Sequence, residues 1–230
     1  MIDVRPLDGL GAFQNEWLNA RHHFSFAGYH DPARMGFGAL RVWNDDTIAP
    51  GTGFDPHPHR EMEIITYVRE GAITHRDSLG NEGRTAAGDI QVMHAGTGIV
   101  HAEHNRETEP TRLFQIWIRP DRARVAPGWA TRRFPRGGIA VLADGREQRD
   151  ESALPLYADA AFAAGTLEIG ATHIVTPGPG RVVYLVASRG TLAINGVAVP
   201  ERAGVAMAGE KRLEIKATSA AELVYVDARE

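Results

Sequence analysis

In Phe54-Asp55-Pro56-His57-Pro58-His59 two histidines stand one residue apart, and His101-Ala102-Glu103 repeats that spacing further along the chain. Side chains alternate faces along an extended strand, so residues i and i+2 point the same way. Each pair therefore reads as a strand that aims two metal-ligand groups at one point, and two such strands side by side make a four-ligand site. Three imidazoles and one carboxylate suit a first-row divalent metal, and an octahedral sphere would keep two positions open. Pro58 fixes its own φ and biases His57 towards extended backbone. Such a proline is tolerated where no ladder needs its missing N–H.

Working outward, the loop Gly51-Thr52-Gly53 delivers the first pair, and residues 62–70, rich in β-formers, predict a strand that turns at Glu70-Gly71. Strands are predicted over 72–77, 84–87, 90–93 and 113–118, with turns at 78–83 and a glycine-bearing loop at Ala95-Gly96-Thr97-Gly98 ahead of the second pair. Upstream, residues 37–43 predict a strand ending in an Asn44-Asp45-Asp46 turn. His22 and His23 sit in a strand-like aromatic segment, Arg21 to His30. As neighbours they face opposite sides and cannot both serve one metal; packing or hydrogen bonding is the expected role. Leu10, Phe13, Trp17 and Leu18 predict one or two helical turns between residues 10 and 20. Short strands at this spacing predict a small barrel or sandwich.

The composition fits that class. With 25 glycines and 13 prolines spread over 230 residues, turns are frequent and long helices few. The hydrophobic share of 43%, the charged share of 23% and the net charge of −4 are ordinary for a soluble globular protein and give no bulk basicity for nucleic acid. There is no cysteine, which excludes disulfides, thiolate metal sites and a thiol nucleophile. Neither a signal-peptide h-region nor an apolar run approaching the roughly 20 residues of a membrane helix is seen. A cytoplasmic protein with no membrane partner is expected.

Residues 119–138 carry six arginines against one acid, Asp121, with prolines at 120, 127 and 135. A solvated connection is expected here, since only Trp129 and Phe134 offer bases anything to stack on. Beyond it the rhythm repeats: Tyr184-Leu185-Val186 through Ile194 echoes Tyr67 through Ile73, Asn195-Gly196 is a strong hairpin turn, and Ala203-Gly204 matches Ala87-Gly88. Nine of the ten histidines lie at or before residue 104, and only His173 falls in the second half. The expected division is a metal-binding domain over 1–120, a linker over 121–138, and a degenerate repeat without metal over 139–230.

These motifs together resemble the two cupin motifs, and more closely the pirin family of two-domain cupins. The first motif is Gly51, His57-Pro58-His59, Glu63 and Gly71, and the second runs from Gly88-Asp89 through Gly96 to His101-Ala102-Glu103-His104-Asn105. Arg21-His22-His23-Phe24-Ser25-Phe26, His75-Arg76-Asp77-Ser78-Leu79-Gly80-Asn81 and Gln115-Ile116-Trp117-Ile118 are also pirin-like. Four residues between Gly96 and His101, and His94 where proline is usual, depart from cupins at large and suit pirins better. The resemblance implies an all-β bicupin, two small antiparallel β-barrels of jelly-roll type packed together, with few short helices.

It implies that His57, His59, His101 and Glu103 bind one divalent metal ion, iron first, with copper, nickel, manganese, cobalt or zinc also admitted. Many cupins use the first-motif glutamate as a ligand. Here Glu63 would lie ~13 Å beyond His59 along a straight strand, so it is placed behind the ligands. His75, His94, His104 and Gln115 are candidates for lining the site without being assigned a role. The activity implied is that of a quercetin 2,3-dioxygenase, in which dioxygen opens a flavonol, a small aromatic substrate, and Glu103 serves as the catalytic base. The alternatives are a pirin-like metal-binding regulator that senses redox state or binds a protein partner, and a non-oxygenase cupin enzyme such as an isomerase.

Overall fold

A computed structural model describes residues 1–133 and 137–230. Phe134, Pro135 and Arg136 of the expected linker lie outside the described residues. The first half contributes β1 (Ile2–Arg5), β2 (Gly11–Gln14), β3 (Leu18–His22), β4 (Leu40–Ile48), β5 (Gly53–His59), β6 (Glu63–Glu70), β7 (Ala72–Asp77), β8 (Glu82–Ala86), β9 (Ile90–His94), β10 (Ile99–His104), β11 (Thr111–Ile118) and β12 (Gly128–Arg132). The second contributes β13 (Ile139–Asp144), β14 (Leu154–Pro155), β15 (Ala160–Leu167), β16 (Thr172–Val175), β17 (Arg181–Arg189), β18 (Leu192–Ile194), β19 (Val197–Val199), β20 (Gly204–Ala208), β21 (Leu213–Ala217) and β22 (Ala221–Arg229). Two 3-10 turns, Leu7–Gly9 and Pro32–Arg34, are the helical elements of the described residues.

The strands form two matching pairs of sheets. A seven-stranded sheet ordered β12-β9-β6-β11-β4-β3-β2 faces a four-stranded one ordered β5-β10-β7-β8. The second half repeats both, as β1-β20-β17-β22-β15-β13-β14 and β16-β21-β18-β19. The orders correspond from β12 to β3 and from β1 to β13, while the edge strands differ, β2 being antiparallel to β3 and β14 parallel to β13; the echo between Tyr67 and Tyr184 thus reflects equivalent strands, β6 and β17. Asn195-Gly196 joins β18 to β19 as a two-residue hairpin with both residues at positive φ, as the dipeptide predicts. The mostly-β, two-domain cupin architecture is thus present. Each half, however, is a sandwich of two open sheets, where closed barrels were expected.

The two large sheets pack on each other. Phe24, Trp43, Tyr67 and Phe114 from one half share a buried cluster with Phe162 and Tyr184 from the other. Each fully buried apolar side chain of this kind contributes about 1.5–3 kcal/mol. Residues of alternate parity turn to the opposite face. In the first half Leu18, Ile48, Val68 and Leu113 meet Ile73 of the small sheet, while Asn44, Asp46, Glu103 and Gln115 line a cleft. In the second half the equivalent interior is filled by Leu185, Leu192, Ile194, Met207 and Ile215. With both faces covered, the large-sheet strands read as nearly unbroken apolar runs.

Three expectations are corrected. Residues 10–20 form no helix: β2 and β3 make a hairpin, with Asn15 Oδ1 accepting from the Trp17 and Leu18 N–H groups at the turn. Asn44-Asp45-Asp46 is not a turn but the middle of β4, whose polar residues find partners or a cleft on its two faces. Residues 128–132 of the expected linker are β12, which pairs along β9 in the first half's sheet. β1 reciprocally pairs with β20 in the second half's sheet, so each repeat lends its leading strand to the other. No helix among the described residues is long and apolar enough to cross a membrane.

Candidate metal centre

β5 is the edge of the small sheet, which is why it accepts Pro56 and Pro58. His57 lies opposite His101 on β10, and His59 opposite Ile99. The register then slips, because Asp55 and Pro56 together oppose Ala102 and bring Phe54 against Glu103. At Gly53 a Cβ would stand 2.2 Å from the Glu103 carbonyl oxygen, so the close approach of β5 to β10 requires glycine. On its other side β10 pairs with β7, placing His75 opposite Glu103.

One ring nitrogen each from His57, His59 and His101 lie within 4.8 Å of one another. The Nδ1 of His57 is 2.7 Å from the Asp55 carbonyl oxygen; a carbonyl only accepts, so Nδ1 donates there and Nε2 is the nitrogen left to face a metal. His101 is buried, and neither of its nitrogens has a hydrogen-bond partner among the described residues. Burial first, then the neighbouring His101 and His57, brings His59 down to about 4. Burial, then His57 and His75, brings His101 down to about 3. Both are neutral near pH 7 and present lone pairs, the state metal ligation demands. Three converging imidazoles, each with a ring nitrogen turned towards the others, fit a divalent cation.

Glu103 stands beside this trio. It groups with His101 and His75 within the same 4.8 Å limit, so the two groupings share His101. Three donors hold the carboxylate: Thr66 Oγ1 at 3.1 Å and Gln91 Nε2 on Oε1, and Gln115 Nε2 on Oε2. His75 donates from Nε2 to Asp77 at 3.0 Å and stacks on Trp129 with rings 4.8 Å apart, which leaves its Nδ1 buried without a partner. Glu63 is elsewhere. It shares parity with Ile65 in the core between the halves, and its Oε2 accepts from His94 Nδ1 at 2.6 Å and from the Tyr157 N–H at 3.0 Å. His104 faces Asp55 at the surface, 3.6 Å away.

The imidazoles open onto a cleft of about 470 Å³, within the roughly 300–1,000 Å³ of small-molecule sites. Its walls are aromatic: Trp17 against Phe54 at 5.1 Å, and Phe26 against Trp117 at 5.4 Å. Phe54 lies 6.3 Å from the His57 ring and Trp117 lies 4.8 Å from the His59 ring. The remaining wall is polar, with His22, Asn44 and Asp46. His22 and His23 do face opposite ways, His22 into the cleft and His23 into the core, where Nδ1 is 2.9 Å from the Tyr184 hydroxyl. Sequence reasoning passed over Asn44, Asp46, Thr66 and Gln91. Their shared signal is polar residues at alternate positions of otherwise apolar strands.

Comparison with known proteins agrees with this architecture. The Pirin family profile matches residues 5–118, and that of the quercetinase C-terminal cupin domain matches 144–228. A pirin-like protein of Caulobacter vibrioides is 53% identical over 232 residues, covering 99% of this chain and 100% of its own. The quercetin 2,3-dioxygenase of Escherichia coli K12 is 40% identical over 228 residues, covering 99% and 98%. The crystal structure of the bacterial pirin YhhW in complex with nickel(II), from Escherichia coli, matches with a TM-score of 0.95 at 37% identity, covering 100% of this chain and 99% of that one. With both halves matched and full-length relatives at such identity, the chain belongs to the pirin family.

Proposed function

We propose that this protein is a metal-dependent oxidoreductase of the quercetin 2,3-dioxygenase type, which opens a flavonol ring with dioxygen and releases carbon monoxide. The observation that carries this reading is the set of three converging imidazoles at the wall of an aromatic-lined cleft of substrate size. His57, His59, His101 and Glu103 would hold one divalent ion, iron first, with copper, nickel, manganese, cobalt and zinc also compatible with nitrogen and carboxylate donors. Once bound, the metal supplies Lewis acidity towards the flavonol 3-hydroxyl and a place for dioxygen.

The chain's own groups do the rest. Trp17, Phe54, Phe26 and Trp117 orient a planar ring system and keep water from it. Glu103 accepts the 3-hydroxyl proton, and Thr66, Gln91 and Gln115 fix the direction in which its carboxylate faces. The test loads purified protein with each candidate metal and follows oxygen uptake and carbon monoxide release with quercetin. Wild type should turn over with at least one metal, and a His57→Ala/His101→Ala variant with none. Absence of turnover with every one of these metals overturns the reading.

A further inference from the structure

Asp45 and Asp46 are neighbours on β4 with opposite fates. Asp45 faces the core between the halves, where Arg69 holds one oxygen and Arg202 Nε the other at 2.6 Å. Asp46 faces the cleft, is 2% exposed, and its Oδ1 has no hydrogen-bond partner among the described residues. Buried carboxyls that serve structure alone are paired, as Asp45 is. Burial first, then the charges of Asp45 and Glu103, raises the Asp46 carboxyl well above its ordinary range. Beside it, His22 Nδ1 donates to Asn44 Oδ1 at 2.8 Å, so His22 keeps an acceptor nitrogen at Nε2. Register places His22 opposite Asn44, and Asn44 shares a face with Asp46. A carboxyl, an amide and an imidazole thus form one row along an otherwise aromatic cleft.

We infer that His22, Asn44 and Asp46 read the ring hydroxyls of the substrate, with Asp46 as the residue that selects polyhydroxylated over bare aromatic ligands. This rests on the cleft being the substrate site of the proposed dioxygenase. A hydroxyl both donates and accepts, which matches a row made of a carboxyl, an amide and an imidazole. An anionic ligand would meet Glu103, and a bare apolar ring would leave the row unsatisfied. A site built to hydrogen-bond a hydroxyl discriminates strongly against the analogue lacking it, because the buried polar groups are then left unpaired.

The test is anaerobic binding to the zinc-loaded full chain, followed by quenching of tryptophan fluorescence, with quercetin and with 3-hydroxyflavone, which keeps only the 3-hydroxyl. Wild type should bind quercetin at least about ten-fold more tightly. Asp46→Leu should bring the two within about two-fold, and Asp46→Asn, which keeps a donor and an acceptor, should retain most of the preference. Asn44→Leu, expected to reduce the preference likewise, serves if Asp46→Leu does not fold. Equal binding of the two ligands by wild type, or a preference unchanged in the folded leucine variants, overturns the inference. If discrimination is absent while oxygen uptake persists, this inference alone falls. Discrimination without turnover under any metal removes the dioxygenase reading and leaves the hydroxyl-reading row in place.

Discussion

Gln115 donates to the Glu103 carboxylate from β11, and Gln91 and Thr66 donate from β9 and β6, so three strands of the large sheet aim one side chain of the small one. Removing such an outer partner typically lowers metal affinity about 10–100-fold. Gln115→Leu should therefore weaken metal binding by that factor in a competitive chelator titration while the fold persists. Glu63→Gln makes the opposite expectation concrete. It should leave metal affinity unchanged and lower stability by about 1–3 kcal/mol, because Glu63 ties His94 to the Tyr157 backbone on the far face of the sheet. Residue type and parity were enough to pair His57 with His59 and His101 with Glu103. They could not foresee that Glu103 also groups with His75, because that depends on which strands become neighbours across the sheet.

Among the elements, β5 carries two of the three imidazoles on an edge strand with an extra residue opposite Ala102. Gly53→Ala would push a Cβ against the Glu103 carbonyl, an overpacking that costs about 1–3 kcal/mol. Thermal melting should show that loss, together with weaker metal binding as β5 separates from β10. The element errors have physical causes. Leu10, Phe13, Trp17 and Leu18 imitate a helical period, yet Trp17 packs on Phe54 while Leu10 is buried elsewhere, because an Asn15-centred turn folds the segment back on itself. Asn44-Asp45-Asp46 imitates a loop because polarity usually marks solvent. Here Asp45 pairs with two arginines distant in sequence, Arg69 on β6 and Arg202 in the β19–β20 turn, and Asp46 faces a cleft, and such long-range partners leave no trace in local sequence.

At the scale of the whole molecule the two sandwiches share one core and exchange leading strands, so they should unfold together. Trp43→Ala should cost about 3–5 kcal/mol and lower a single transition in urea, with no separate melting of either half. His23 lies in that shared core, where burial first and then Arg5, Arg202 and Arg34 hold it at about 3 against an ordinary 6.5. Between those values the unfolded chain takes up a proton that the folded chain refuses. Stability should therefore be complete above about pH 6.5 and fall as pH drops, by up to about 1.4 kcal/mol per unit from this residue. Urea midpoints from pH 7 to 4.5 should record the slope, and His23→Leu should lessen it by this residue's share, since the depressed His59 and His101 act in the same direction. The internal repeat was legible as an echo of sequence, and the near-absence of histidine from the second half matches an interior packed with Leu185, Ile194 and Met207. Anomalous diffraction at the absorption edge of the bound metal tests the central claim most directly. One peak per chain in contact with His57, His59, His101 and Glu103 is expected; a peak that omits Glu103, that is held by His75 instead of His57 and His59, or that lies in the second half would overturn the four-ligand assignment.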